Sequence, residues 1–518
     1  MDLIVLLGIV FVAGFLVLIS FRRIDFPSIP SLIFSGVAVS YFIDLSNILD
    51  ILILGISFLV FYIGLRTDLD GFRKVGSESL NVSLIQIAIA FTLVFSVSTY
   101  LGFDRLTSLY IALAGSLAST LAGTDIFNQN LRMDLHHGQI SNASNFVQDI
   151  VAVIIISGLS VGLTVSGLNS ALMTGLILFL AFIFREIFSK RFHKLVKTQE
   201  LRTVSMVAVF AASIGLAEYI DISIIAAVFA GGLAFSRGSE TEEFLDDLEP
   251  LKDFFSVIFF VGLGALVTTP SYTTLVIAAV IICSVLILRP LLISVVMLID
   301  GQSARKSFKT SSNMLQVSEF ALAAVIIAWS TGLVDGHLKD AVIISAAVTM
   351  AVSTFSIRHS DFIYRKFSYP FLRAERVLEY SPKNIDLDNH VVLVGFGVRG
   401  QKVAEELKQK GKEFLVIDYN TEHMERARLE DVDYLFRDFM EKGVLEDANI
   451  SQADCIVVTS DHKEIIEKAV SVDNIPKLVL VDSEEEAERL QSQNVKTLLE
   501  SEVVEDGLKN RVFDLIDN

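Results

Sequence analysis

The stretch NFVQDIVAVIII, residues 145–156, places one carboxylate, Asp149, and its amide neighbour Gln148 at the head of a long apolar run. A charged side chain near the centre of a bilayer costs about 2.5–3.5 kcal/mol even on a lenient insertion scale. The fold therefore turns on whether this run lies in a membrane. Of the 518 residues 52% are hydrophobic and 38 are Phe, more apolar than soluble globular chains usually are. The apolar runs stop near Ile357. From Ser381 to Asn518 the chain carries 31 acidic against 17 basic residues, a net of −14 out of −18 for the whole sequence. A membrane half is followed by an acidic soluble half, which argues against nucleic acid as a partner.

A helical span needs about 20 mostly apolar residues, and about thirteen runs qualify between 2–21 and 338–358. Met1–Phe21 has no basic leader and runs straight into Arg22 and Arg23, so it reads as a retained first span. Basic residues fall in every second connection, among them Arg73 and Lys74, Lys190 and Arg191, Arg305 and Lys306. Short basic loops stay cytoplasmic. An odd number of spans then places the N-terminus outside and the tail in the cytoplasm, as expected of a multi-pass protein of the plasma membrane. Cys283 and Cys455, in different halves, suggest no disulfide framework, which fits a reducing compartment for the tail.

Two spans are unlike plain lipid-facing helices. AGSLASTLAGTDIFNQN (114–130) is rich in Gly, Ser and Thr, and SSNMLQVSEFALAAVI (311–326) carries Gln316, Ser318 and Glu319. Polar, Gly-containing spans in corresponding places of two halves point to broken helices that cross at a transporter's binding site, within an inverted repeat. Buried ionisable groups mark ion or proton routes. Asp149 is the candidate carrier: a partly buried carboxylate whose pKa is raised can hold a proton or a dehydrated monovalent cation in turn. Gln148, Asn145, Thr120 and Ser119 are the candidate neutral ligands around it. One acid exchanging one proton for one cation moves no net charge, so exchange is expected to be electroneutral. Arg289 precedes Pro290, where a kink is expected, and its guanidinium is expected as a fixed counter-charge to Asp149 or Glu319.

FYIGLRTDLDGFRKVG (61–76), SLASTLAG (116–123), FVQDIVAV (146–153), AAVFAGGLAFS (226–236), FFVGLGALV (259–267) and SEFALAAVI (318–326) together resemble the monovalent cation/proton antiporter superfamily, Kef-type potassium/proton antiporters in particular. The resemblance implies that the acid matching Asp149 carries the ion or proton, that broken helices matching 114–126 and 313–325 cross beside it, and that the basic residue matching Arg289 sits near the crossing. It also implies a homodimer with an elevator-like motion, expected here to pair through both membrane and cytoplasmic domains. Arg66 stands where the family usually has an acid, and Leu-Ala-Gly-Thr-Asp replaces a hydrophobic run after Thr120; both bear on ion preference.

In the tail, NHVVLVGFGVRGQKVAEELKQKGKEFLVIDYN (389–420) reads as strand, glycine turn, helix and strand ending at Asp418. In the turn Gly395-Phe396-Gly397-Val398-Arg399-Gly400 the first glycine allows a tight bend, the second lets backbone amides approach a pyrophosphate, and the third lets the helix pack on the strand. Asp418 lies where an acid would bond ribose hydroxyls. Further strands are expected at 433–439, 453–460 and 477–483, in a doubly wound sheet of about five or six strands. The segment resembles the TrkA amino-terminal (RCK) domain, with Asp438 of Arg437-Asp438 matching the acid of a Gly-Asp pair. No second regulatory lobe is expected after it. His390, His423 and His462 read as surface residues, and no general acid suggests a dehydrogenase.

The expected molecule thus joins a transmembrane all-α antiporter domain (1–358), with an inverted repeat and two broken crossing helices, through a linker (359–388) to a cytoplasmic Rossmann-like α/β domain (389–518). It would exchange potassium for protons and respond to NAD(H) or another adenine nucleotide. Rival readings are a sodium/proton antiporter of the same fold and an RCK-regulated potassium channel, although no Thr-Val-Gly-Tyr-Gly filter occurs. A membrane-anchored redox enzyme would not need so many spans.

Overall fold

In hydrocarbon every backbone N–H and C=O has to be satisfied within the protein, so long apolar runs become helices. The computed structural model of the chain describes residues 3–23, 26–40, 48–67, 69–119, 136–159, 165–196, 198–220, 222–236, 240–300, 302, 304–360, 363–364, 387–418, 423, 426–427, 430, 432–437, 439–440, 444–460, 463–472, 475–481, 483–492 and 495–499. It divides into two compact units, Met1–Asp300 with Ser307–Ile363, and Gly301–Lys306 with Tyr364–Asn518.

The first unit is helical: α1 (Leu3–Arg22), α2 (Ser28–Ser40), α3 (Ile48–Arg66), α4 (Leu69–Tyr100), α5 (Arg105–Ser116), α6 (His136–Leu159), α7 (Val165–Leu195), α8 (Gln199–Tyr219), α9 (Ile224–Leu233), α10 (Glu240–Ala265), α11 (Tyr272–Cys283), α12 (Arg289–Ile299), α13 (Ala304–Ser312), α14 (Glu319–Ser330) and α15 (Gly336–Arg358). Among the described residues six helices are long and apolar enough to cross a membrane, and five shorter apolar ones accompany them. Leu168, Leu172, Leu176 and Phe179 of α7 stand exposed, as lipid-facing side chains do. A π-helical turn, Ser284–Leu288, joins α11 to α12. Pro290 has no N–H to offer the carbonyl one turn back, and the wider turn directly precedes it.

Helices α1, α2, α3, α8, α9 and α10 pack among themselves, as do α4, α5, α6, α11, α12, α14 and α15; the principal contacts between the sets are α2–α15, α3–α14 and α6–α9. Two close crossings fix the first set. A Cβ on Gly36 of α2 would lie 1.9 Å from Val261 O of α10, and one on Gly232 of α9 would lie 2.1 Å from Phe61 O of α3. The facing residues are again glycines, Gly264 and Gly64. Each crossing joins the second helix of one half to the third helix of the other, with α7 between the halves. This is the pattern an inverted repeat produces.

The second unit contains β1 (His390–Val394), α16 (Val398–Gln409), β2 (Phe414–Asp418), β3 (Tyr434–Phe436), α17 (Val444–Asp447), β4 (Ala453–Val458), α18 (Lys463–Val470), β5 (Lys477–Val481), α19 (Glu484–Gln491) and β6 (Lys496–Leu499). Every pairing is parallel, in the order β3-β2-β1-β4-β5-β6. Val392 and Val394 enter one core and Val391 and Leu393 the other. Strands of a parallel sheet are covered on both faces, hence their unbroken apolar text. The order reverses between β1 and β4, where open α/β sheets bind ligands beyond the strand carboxyl ends.

Candidate functional site

In both suspect spans the helix stops. Helix α5 ends at Ser116 and the chain continues extended through Leu117–Ser119; α13 ends at Ser312 and α14 starts at Glu319. The two interruptions meet in one antiparallel bridge, Ala118 with Val317. A broken helix inside a membrane strands polar backbone groups that water cannot reach, so side chains have to serve them.

Gln148 of α6 accepts the Ala118 N–H (2.8 Å) on Oε1 and donates to Gln86 Oε1 of α4 (3.2 Å); Gln86 in turn donates to Ser116 O (3.0 Å). Thr349 of α15 accepts the Val317 N–H (3.2 Å). Each linker is therefore held from the last helix of its own half. Gln148 was expected among the ion's ligands, but its oxygen is occupied by the linker.

Arg289 corrects a second expectation. Its Nη1 donates to Met314 O (3.0 Å) and Gln316 O (2.8 Å), and its Nη2 to Gly115 O (3.1 Å) and Leu117 O (2.6 Å). Ser284 Oγ adds a bond to Gly115 O (3.0 Å). Among the described residues Arg289 pairs with neither Asp149 nor Glu319. The carbonyls it holds lie in the last turn of α5 and just beyond the C-terminal ends of α5 and α13, where orphan C=O groups gather partial negative charge. The guanidinium, with five donors in a fixed fork, neutralises both ends.

Glu319, fully buried, stands at the positive N-terminal end of α14, where Ser318 Oγ accepts the Phe320 N–H (3.1 Å). Its Oε1 accepts the hydroxyl of Ser119. Asp149 is 2% exposed, directly follows the residue that braces Ala118, and lies on the same face of α6 as Asn145, one turn earlier. It is turned inward, away from lipid. Thr120 and Asp438 lie outside the described residues.

Sequence reasoning missed the rest of the brace. Ser83 Oγ donates to Ser144 O (3.0 Å), and Ser79, Ser83 and Gln86 recur at helical spacing along one buried face of α4; that periodicity was the available signal. A second buried charge set was missed as well. Lys339 and Asp340 are ion-paired at 2.7 Å, Lys339 Nζ lies 4.7 Å from the Trp329 ring and donates to Leu266 O, and Thr268 Oγ1 donates to Asp340. This set ties the end of α10 to the start of α15.

In the second unit Gly395 has φ +95°, a conformation side chains disfavour, and a Cβ on Gly400 would lie 2.1 Å from Gly395 O. At Gly397 the nearest atom to such a Cβ is His423 Cε1 at 3.8 Å, so the approach to the turn stays open there. Val398 is exposed and Arg399 half-buried at the head of α16, whose N–H groups face the approach an anion would take. Asp418 Oδ2 accepts the Phe396 N–H (2.6 Å) and meets His423 Nδ1 at 2.8 Å. The acid expected to hold ribose also braces the glycine turn, and His423 is a partner in that bond instead of a bystander on the surface. His390 is fully buried, with Nε2 3.1 Å from Ala448 O.

Two interrupted helices crossing beside a buried acid, on one chain with a glycine-turn Rossmann unit, have the architecture of a secondary transporter with an attached nucleotide-binding-type domain. Residues 7–359 match the model of the sodium/hydrogen exchanger transmembrane family, and residues 391–500 match that of the TrkA-N domain. The chain belongs to the sodium/hydrogen exchanger family, as a Kef-type cation/proton antiporter with a C-terminal TrkA-N domain. It is 23% identical over 480 residues to the putative K(+) efflux antiporter KefB of Alkalimonas amylolytica, covering 88% of this chain and 72% of that one. To the putative cation/proton antiporter YbaL of Escherichia coli K12 it is 22% identical over 426 residues, covering 78% and 76%. The solved structure of the sodium proton antiporter MjNhaP1 from Methanocaldococcus jannaschii shares the fold at TM-score 0.54 and 14% identity, over 73% of this chain and 98% of that one.

Proposed function

We propose that this protein is an electroneutral potassium/proton antiporter in which Asp149 carries the proton and the cation alternately. The observation that carries the reading is the position of Asp149: buried, on the helix that braces one linker of the crossing. Deprotonated, it binds a partly dehydrated cation with Asn145, Ser119 and Thr120; protonated, it releases that cation. Arg289 stays bound to carbonyls throughout, so the charge that comes and goes is the carboxylate's alone. Potassium is favoured because the KefB relative is described as a K(+) efflux antiporter.

The two helix sets support an elevator-like motion, since each is packed within itself while few helix pairs join them. A homodimer, an external N-terminus and a cytoplasmic tail in the plasma membrane complete the reading. So do a transport domain at 1–358, a linker at 359–388 and a regulatory domain at 389–518 that binds NAD(H) or another adenine nucleotide without catalysing a reaction. Proton flux in everted vesicles tests it. Wild type should respond to added potassium more than to sodium, and Asp149→Asn should be silent; a mutant that still exchanges would remove Asp149 from the mechanism, and equal or greater response to sodium would transfer the assignment to that cation. For the tail, NADH and AMP titrated into the full chain should bind wild type and fail with Gly397→Asp, whose side chain would fill the open approach.

A further inference from the structure

One buried amide at the crossing has no hydrogen-bonding partner among the described residues. Gln316 is 0% exposed, and neither its Oε1 nor its Nε2 meets a hydrogen-bonding group among the described residues. Its backbone carbonyl, by contrast, is held by Arg289 at 2.8 Å. The neighbouring amides are fully engaged, Gln148 on Ala118 and Gln86, and Gln86 on Ser116. A buried polar side chain without partners is destabilising, and apolar residues of similar size fit such a place better. Its retention inside a tightly packed crossing calls for a ligand that arrives from elsewhere.

The register says which ligand. Ala118 pairs with Val317 in antiparallel sense, which sets Gln316 across from Ser119. On α6 the Oδ1 of Asn145 is likewise buried without a partner among the described residues, one turn from Asp149. Two buried amide oxygens are thus unengaged, one on the linker between α13 and α14 and one on the face of α6 that bears Asp149. Neutral oxygens of this kind are what a monovalent cation needs in place of its water.

We propose that Gln316 is a cation ligand that sets affinity and selectivity, filling the place that Gln148 cannot because its oxygen holds the linker. The proposal rests on Asp149 being the carrier. The test is potassium- and sodium-driven proton exchange in vesicles carrying wild type, Gln316→Leu, Gln316→Asn or Asp149→Asn, with thermal melts of each purified chain. Loss of one dipolar ligand should raise the apparent cation KM of Gln316→Leu by about tenfold and change the potassium-to-sodium preference, with kcat at saturating cation nearly unchanged. Gln316→Asn keeps the amide and shortens its reach, so it should fold even if the leucine variant does not, and should shift KM in the same direction. A melting temperature above wild type for Gln316→Leu, with KM and preference unchanged in both variants, would make the amide a mere packing fault and overturn the proposal, while a silent Asp149→Asn left the carrier reading standing. Exchange surviving in Asp149→Asn would overturn both.

Discussion

The two halves of the membrane unit share a backbone plan and differ in where they put charge. In the first, Gln148 of α6 holds the Ala118 N–H; in the second, Thr349 of α15 holds the Val317 N–H. The residue after Gln148 is Asp149, and the residue after Thr349 is Met350. The bridge of Ala118 with Val317 sets Glu319 at the position equivalent to Thr120, so the second acid stands on the broken helix and not on its brace. Glu319 faces a helix N-terminus and the Ser119 hydroxyl, a setting that keeps a carboxylate satisfied in place. Asp149 stands mid-helix, with no helix terminus of its own to stabilise its charge. Among the described residues the two halves thus place their acids differently, one on the brace and one on the broken helix.

The symmetric part should fail symmetrically, and with the largest effect. Gly36→Ala and Gly232→Ala each drive a methyl group against backbone carbonyl, at 1.9 and 2.1 Å. Overpacking a fixed crossing costs about 1–3 kcal/mol and sometimes more, so both variants should lose monodisperse protein on size exclusion and melt well below wild type. Gly175→Ala, with nothing within 4 Å, should be neutral. If only one of the two crossings proved sensitive, the halves would not be mechanically equivalent.

A smaller effect should separate the halves. Gln148→Leu and Thr349→Val each leave a buried linker N–H unsatisfied, at about 1–3 kcal/mol, and melting points should fall by similar amounts. Exchange should slow chiefly in Gln148→Leu, because that brace holds the helix of Asp149, the proposed carrier, against its linker. Equal slowing in both variants would mean that the brace acts on transport only through stability.

How much of this was legible depended on how far apart the partners lie in sequence. The glycine turn could be read because all its parts are local: Gly395 needs its positive φ and Gly400 its missing Cβ within six residues of one another. Asp149 could be read because a bilayer makes any charge conspicuous. The true partners of Arg289 could not, since two of them are backbone carbonyls more than 170 residues away, and a carbonyl has no letter in the sequence. The tendency of buried groups of opposite sign to pair suggested a counter-ion instead. Thr349 also bonds Ala346 O (3.3 Å), the ordinary habit of a helical threonine, so nothing set it apart as a brace. Gly36 and Gly175 look alike as letters, yet one sits at a crossing and the other in open space.

The smallest effect concerns two helix starts, one in each half. Asp104 caps α5, its Oδ2 accepting the N–H groups of Leu106 (3.0 Å) and Thr107 (3.1 Å), whereas α14 is capped by the uncharged Ser318. Asp104 lies in the connection before α5, and hydrogen bonding from the Thr107 side chain, with the backbone N–H groups of Thr107 and Leu106, outweighs partial burial and lowers its pKa from the usual 3.8. A carboxyl whose folded pKa is depressed adds stability that is present above the unfolded value and is lost as pH falls through the folded one. Asp104→Ala should therefore cost about 1 kcal/mol at pH 6–8, and the gap to wild type should narrow only below about pH 4. Ser318→Ala should cost a similar amount with no such narrowing, since a hydroxyl does not titrate in this range. Melting temperatures in detergent from pH 3.5 to 8 would show the two curves; parallel curves would mean that the Asp104 carboxylate charge contributes nothing to its cap.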